Sequence, residues 1–331
     1  MDARLVKISR ALRVRAWHIF NRSVLQRLEL IGADGSSRPL VYAPIIIVGA
    51  PRSGSTLLYQ LLVNRFDFTY LSNRHCRFFG APSLVERFGG GGVMPSGDYI
   101  SKHGLTMGPR GPSECGPFWY RFFRKSPQFV GLSDIPSRDL VRLRAAIRVL
   151  GASGRRPLIF KNLPCSLRIE PIAEALPEAC FVVVSRNIEQ HVRSILVARK
   201  RANGDIQKWW SVEPPGWEEL SSLGPTDQAL GQIDAIHSAI NSARDKVGSS
   251  RFLDIGYDEL INDVNGTLAK VSMFAASRGI NLETRSEVPE NFSYQEQERL
   301  SDELESELVV SLKARRMQDT VGERSEARTS V

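Results

Sequence analysis

Ile45-Ile46-Ile47-Val48-Gly49-Ala50-Pro51-Arg52-Ser53-Gly54-Ser55-Thr56 is the stretch on which the reading of this chain turns. Four consecutive β-branched apolar residues fit a strand buried on both faces. Two glycines and a proline break that pattern, and Leu57 to Val63 resumes at helical spacing. A glycine loop between a strand and a helix points backbone N–H groups inward, and the helix N-terminus adds partial positive charge, so the turn suits a phosphate. Gly49 and Gly54 stand five apart, as in the pattern G-x-x-x-x-G-K-[ST]. Ser55 occupies the place of that pattern's lysine, and Arg52 supplies a cation from inside the loop instead. Without the lysine a triphosphate lacks its β/γ contact, which speaks against magnesium-assisted phosphoryl transfer. The Arg52 guanidinium still offers a planar fork of donors to a terminal phosphate. An ordinary tight turn is the competing reading; the strand before the loop and the helix after it favour the phosphate.

Outward from the loop, strands and helices alternate. Pro157–Phe160, Phe181–Val184 and Arg251–Ile255 read as further strands. Helical spacing covers Ser137–Leu150, Ile169–Leu176, Ile188–Arg199, Thr226–Val247 and Leu260–Arg278. This order predicts an α/β fold: a P-loop-like three-layer α/β/α arrangement with a mainly parallel sheet and helical or loop insertions. Residues 1–36 read as a basic helical segment, 37–315 as the α/β domain, and 316–331 as a polar C-terminal tail expected to fray. Residues 64–140 read as irregular, with four glycines at Gly89–Gly92. The aromatic cluster that follows suggests a mobile lid or a substrate-facing segment.

The chain has 331 residues, with 44 Lys and Arg against 36 Asp and Glu, a formal net charge of +8. Such an excess raises the local concentration of anionic ligands without choosing among them. The basic residues are spread along the chain, which disfavours nucleic acid as a partner. Cys76, Cys115, Cys165 and Cys180 form no C-x-x-C pair and no zinc spacing, so no metal is expected, and reduced thiols in a cytoplasmic protein are the expectation. Arg4, Lys7, Arg10, Arg13 and Arg15 alternate with apolar residues up to Phe20. That pattern is a basic amphipathic helix, packed on its own domain or lying peripherally on an anionic membrane.

The segment Pro51-Arg52-Ser53-Gly54-Ser55-Thr56-Leu57-Leu58 resembles the 5′-phosphosulfate loop of sulfotransferases that use 3′-phosphoadenosine 5′-phosphosulfate (PAPS), in its bacterial and carbohydrate-type form. The resemblance implies that Arg52, Ser53, Gly54, Ser55, Thr56 and Leu57 hold the 5′-phosphate and sulfate. The family holds the 3′-phosphate with an arginine at a strand end and a serine eight residues on. Arg186 and Ser194 stand at that spacing after the strand Phe181–Val184. The family usually continues Arg-Asp-Pro, whereas this chain reads Arg186-Asn187-Ile188. Gly256-Tyr257-Asp258-Glu259-Leu260 is similar to the family's Tyr-Glu-Asp-Leu segment, which implies Tyr257 beside the nucleotide. Phe160-Lys161-Asn162-Leu163-Pro164 is similar to its Lys-Ser/Thr-Pro segment. The resemblance spans roughly residues 44–275.

It implies transfer of a sulfuryl group from PAPS to a hydroxyl or amine of a small-molecule or glycan acceptor, with Arg52 and Lys161 meeting the charge. The acceptor, a carbohydrate, lipid-linked glycan or small alcohol, and the oligomeric state are left open by the sequence. Cytosolic members place a basic histidine two residues after the lysine; Leu163 stands there. Two residues remain as the base. His75, in Leu71-Ser72-Asn73-Arg74-His75-Cys76, is an imidazole, the side-chain type most often used as a base. Glu114, in Gly111-Pro112-Ser113-Glu114-Cys115, resembles a Pro-x-Glu element of bacterial members. His191 is expected to support structure, and Phe118–Phe123 with Trp209-Trp210 to line an acceptor pocket or the core. A P-loop kinase or NTPase and a non-catalytic nucleotide-binding member of the fold are the rival readings.

Overall fold

A computed structural model of the chain describes residues 3–31, 40–90, 99, 106–293 and 299–329. Among them, five strands form one sheet: β1 (Pro44–Gly49), β2 (Thr69–Tyr70), β3 (Leu158–Lys161), β4 (Cys180–Ser185) and β5 (Phe252–Gly256). Every pairing is parallel, in the order β2-β3-β1-β4-β5. The β-branched run makes β1 the central strand, with Ile46 opposite both Phe160 and Phe181. Ile45 through Val48 have no solvent exposure, as a strand covered on both faces requires.

Fourteen helices flank the sheet among the described residues. The basic N-terminal segment forms α1 (Ala3–Phe20) and α2 (Gln26–Ile31), joined by one π-helical turn. Then follow α3 (Ser55–Arg65), α4 (Asn73–Arg77), α5 (Pro82–Val85), α6 (Gly116–Trp119) and α7 (Ser137–Gly154). Around the later strands come α8 (Ile169–Ala175), α9 (Ile188–Asn203), α10 (Trp217–Leu220) and α11 (Pro225–Val247). The chain continues through α12 (Tyr257–Asn262), α13 (Val264–Ser277) and α14 (Asp302–Thr329).

Alternate side chains of each strand enter separate cores. Ile46, Val48, Phe181 and Val183 pack with α7, α8, α9 and α11. Ile45, Ile47, Val182 and Val184 pack with α3, α12 and α13. This is the three-layer α/β/α arrangement expected from the alternation.

Several boundaries differ. The helix expected over Leu260–Arg278 is split at Asp263, which leaves helical dihedrals and accepts a hydrogen bond from Gly266 N at 2.8 Å, capping α13. The stretch read as irregular contributes edge strand β2 and helices α4 to α6. Cross-chain hydrogen bonds such as Ser113 N to Leu71 O, 2.7 Å, hold it together. The lid reading over residues 91–98 and 100–105 lies outside the described residues. The backbone of α14 continues through the tail expected to fray. The N-terminal helices pack on their own domain. Trp17 Nε1 donates to Arg77 O at 2.7 Å, Gly80 N donates to Asn21 Oδ1 at 3.0 Å, and buried Glu29 accepts from Ser83 Oγ. No helix among the described residues is long and apolar enough to cross a membrane.

Candidate functional site

In a sheet of this topology, ligands bind at the carboxyl ends of the strands, where the order reverses beside the central strand. A cavity of about 650 Å³ opens there. Its wall includes Arg52 and Gly54 to Leu57 from the loop after β1, Lys161 from the end of β3, Arg186 after β4 and Tyr257 after β5.

The loop is shaped by its backbone. Gly49 has φ +149°, and a Cβ there would lie 2.5 Å from Val184 O. Gly54 has φ +98°, and a Cβ there would overlap the Tyr257 ring. Arg52 itself adopts φ +69°, a left-handed conformation that non-glycine residues seldom take outside functional turns. Two side chains hold the turn from beneath. Ser166 Oγ accepts from Gly49 N at 3.0 Å and donates to Gly49 O at 3.1 Å. His191 Nε2 donates to Pro51 O at 2.7 Å. Burial pushes His191 down to about 4, so its ring is neutral at pH 7, and it supports the loop as expected. Helix α3 starts at the loop with no side-chain cap, so its first-turn amides face the cavity's loop wall as free donors for an anion.

The two phosphate subsites read from sequence are joined. Arg52 Nε donates to Ser194 Oγ at 3.1 Å. Arg186 lies over the Tyr257 ring, its guanidinium carbon 4.2 Å from the centroid. Burial lowers the proton affinity of Arg52, and the charge of Arg186 lowers it further. Burial also lowers that of Arg186. Two partly desolvated guanidiniums, one feeling the charge of the other, make a site that an anion stabilises. Arg186 lines the cavity and its Nε is buried without a hydrogen-bond partner, which fits an oxygen acceptor supplied by a ligand. These residues therefore suit a molecule carrying two phosphate groups.

Across the cavity, Lys161 is almost fully buried. Its Nζ donates to Thr56 Oγ1 at 3.1 Å and forms an ion pair with Glu114. The other Glu114 oxygen accepts from Leu163 N at 3.1 Å, and Asn162 Nδ2 donates to Glu114 O at 3.2 Å. Leu163, where a histidine was absent from the sequence pattern, thus contributes its backbone amide. That contact has no sequence signal.

His75 is not brought to this cluster. It is fully buried as the third residue of α4, where its Nδ1 meets Ser72 N at 3.1 Å and Ser72 Oγ at 2.7 Å, closing a capping box. Its Nε2 lies 3.2 Å from Glu86, which also pairs with Arg156. The aromatic run is divided as well. Phe118, Trp119, Phe122 and Phe123 belong to the core, and only Tyr120 reaches the cavity. Trp210 lines it, whereas Trp209 packs against Trp217 and Arg199. Tyr99 and Phe292, which sequence reasoning missed, complete the apolar wall; each is an isolated aromatic without periodicity. Among the described residues no group of His, Cys, Asp and Glu is arranged to hold a metal.

The model of the family described as "Sulfotransferase family" matches residues 44–276. A curated relative, "Omega-hydroxy-beta-dihydromenaquinone-9 sulfotransferase Stf3" of Mycobacterium bovis, is 24% identical over 251 residues, covering 69% of this chain. The chain spans 61% of that relative's length. Among solved structures, sulfotransferase STF1 of Mycobacterium tuberculosis H37Rv superposes with a TM-score of 0.52 at 18% identity, over 78% of this chain and 73% of that one. Sulfotransferase STF9 of Mycobacterium avium gives 0.53 at 15% identity, over 76% and 68%. The two structures share the fold.

Proposed function

The chain belongs to the sulfotransferase family, and we propose that it moves a sulfuryl group from PAPS to a hydroxyl of an acceptor held in the cavity. The observation that carries this reading is the placement of two clusters on one cavity. Arg52 stands with Ser194 and feels the charge of Arg186, and the Lys161–Glu114 ion pair stands on Thr56 of the same loop.

The donor supplies an activated sulfuryl group whose bond to the 5′-phosphate breaks as the acceptor oxygen bonds to sulfur. Arg52 and the loop from Ser53 to Leu57 bind its phosphosulfate end. Arg186 and Ser194 bind the 3′-phosphate, with Tyr257 beside the adenosine. Lys161 offsets the negative charge that develops on the departing phosphate. Glu114 takes the proton from the acceptor hydroxyl. Held by Leu163 N and Lys161, its carboxylate is oriented before the acceptor arrives.

For the acceptor we favour a lipid-like alcohol. The wall formed by Tyr99, Tyr120, Trp210 and Phe292 is aromatic, and the relative named above acts on omega-hydroxy-beta-dihydromenaquinone-9. Leu12, Ile19, Val24 and Leu28, exposed beside the arginines of the N-terminal helices, suit peripheral contact with an anionic membrane where such an acceptor resides.

Glu114→Gln tests the base. Turnover in a sulfuryl-transfer assay is expected to fall about 10²–10⁴-fold, while adenosine 3′,5′-bisphosphate binds as it does to the wild type. Full turnover in this variant would remove Glu114 from the role.

A further inference from the structure

Cys76 and Cys115 both line the cavity, on segments tied to each other. Asn73 N donates to Gly111 O at 2.9 Å, Ser113 N donates to Leu71 O at 2.7 Å, and Ser72 bridges to Pro112 in antiparallel fashion. These contacts run α4 alongside the loop that leads into α6. At its end, the Cys115 thiol and the Ser113 hydroxyl come near enough to Cys76 to influence its sulfur, and Cys76 influences Cys115 in turn. Cys115 is held at φ +43°, an unusual backbone for a non-glycine residue, with its own N–H bonded to Ser113 Oγ at 3.2 Å. Cys76 is half-buried and Cys115 buried. Cys115 directly follows Glu114.

We propose that Cys76 and Cys115 form an oxidant-responsive dithiol in the cavity wall, which a peroxide closes to a disulfide that displaces Glu114. Its consequence for transfer rests on the function proposed above; the site itself does not.

Cys76 is the attacking thiol. The hydrogen bond from Cys115 stabilises its thiolate and, with Ser113, outweighs burial, bringing it down to about 7. The Cys76 thiolate attacks one peroxide oxygen, the O–O bond breaks, and the departing hydroxide takes a proton to become water. The sulfur is left as a sulfenic acid. Cys115, losing its proton, then attacks that sulfur and a second water leaves. Two thiols are oxidised to one disulfide and one peroxide is reduced to two waters. Cys165 and Cys180 are buried, and burial pushes both thiols up, Cys180 to about 12, so they are poor competitors. A disulfide holds its two sulfurs about 2 Å apart, closer than two unbonded thiols can approach, so joining them pulls Cys115 towards Cys76. That movement passes to Glu114 and breaks its alignment with Leu163 N and Lys161.

The test treats the full chain with hydrogen peroxide near neutral pH, alkylates the remaining thiols and maps the peptides without reduction. One cross-link, Cys76 to Cys115, is expected, with Cys165 and Cys180 alkylated. Transfer is expected to fall roughly 10²-fold and to return with dithiothreitol. In Cys115→Ala, the cross-link is absent and Cys76 is trapped by a sulfenic-acid probe. If that variant fails to fold, the wild-type map still decides. Oxidation of Cys76 without cross-linking, prior oxidation of Cys165 or Cys180, or a cross-linked protein with unchanged turnover would each overturn the proposal. A cross-link in a chain that never transfers sulfuryl groups, before or after reduction, would instead leave the dithiol standing and contradict the proposed function.

Discussion

His191 and Glu114 show how burial divides residues that look alike in sequence. Glu114 lies between Gly111 and Gly116 and His191 lies inside α9, and neither residue type announces its role. His191 lies beneath the loop, its Nε2–H on Pro51 O, and its cationic form is opposed by burial first and then by neighbouring positive charge that includes Arg186 and Arg52. An unfolded histidine binds its proton near 6.5, whereas His191 in the fold does so at about 4. As pH falls from 6.5 towards 4, the unfolded chain takes up the proton first, so folded stability declines across that window and this residue has no such effect above it. His191→Gln keeps a donor for Pro51 O and cannot titrate. Its Tm is expected to fall less steeply than that of the wild type between those pH values. Equal slopes would contradict the role. His75 also sits in a buried hydrogen-bonded setting, and a base must reach its substrate. Glu114, with both oxygens engaged at the cavity, meets that requirement.

At the scale of elements, the strand–loop–helix unit from β1 to α3 was legible because each part has a strong local signal: a β-branched run, glycines where φ is positive, then helical spacing. The alternation behind β3, β4, β5, α7, α9 and α11 was legible for the same reason. Edge strand β2 was not, because two residues carry no periodicity and owe their conformation to pairing with β3. The break at Asp263 was hidden because helical spacing continues across it, and only the side-chain bond to Gly266 N marks the cap. In the candidate site, Arg52, Arg186, Ser194, Lys161 and Tyr257 were named through the family resemblance, and the fold brings Arg52, Lys161, Arg186 and Tyr257 to one cavity. The Leu163 amide, Tyr99, Phe292 and the nearness of Cys76 and Cys115 arise from tertiary placement alone. Gly54 has two reasons to be glycine, its φ of +98° and the Tyr257 ring against it; Gly89 has φ +84° and open space around it. Gly54→Ala therefore incurs dihedral strain of about 1–3 kcal/mol plus displacement of Tyr257, and is expected to lose most bisphosphate binding. Gly89→Ala incurs the dihedral strain alone, and bisphosphate titration should give the wild-type affinity. Equal binding by the two variants would show that Tyr257 does not shape the loop's ligand site.

For the whole molecule, the sheet order β2-β3-β1-β4-β5 lets segments more than a hundred residues apart share one cavity. The loop, Arg186 and Tyr257 follow β1, β4 and β5, and Lys161 ends β3, so their approach is fixed by sheet register and by the two cores behind it. The same register sets the spacing of the two arginines, and Ser194 reaches Arg52 because α9 leaves β4 at that end. On the proposed function these residues form one clamp for two phosphate groups rather than a triphosphate site. Thermal stabilisation of wild type, Arg52→Ala and Arg186→Ala by adenosine 3′,5′-bisphosphate and by ATP with magnesium distinguishes the two. The bisphosphate should stabilise the wild type, by about 2.7 kcal/mol at a hundred times its Kd, and each variant should need more ligand for the same shift. Stabilisation by ATP with magnesium alone, or bisphosphate binding unchanged in both variants, would contradict it.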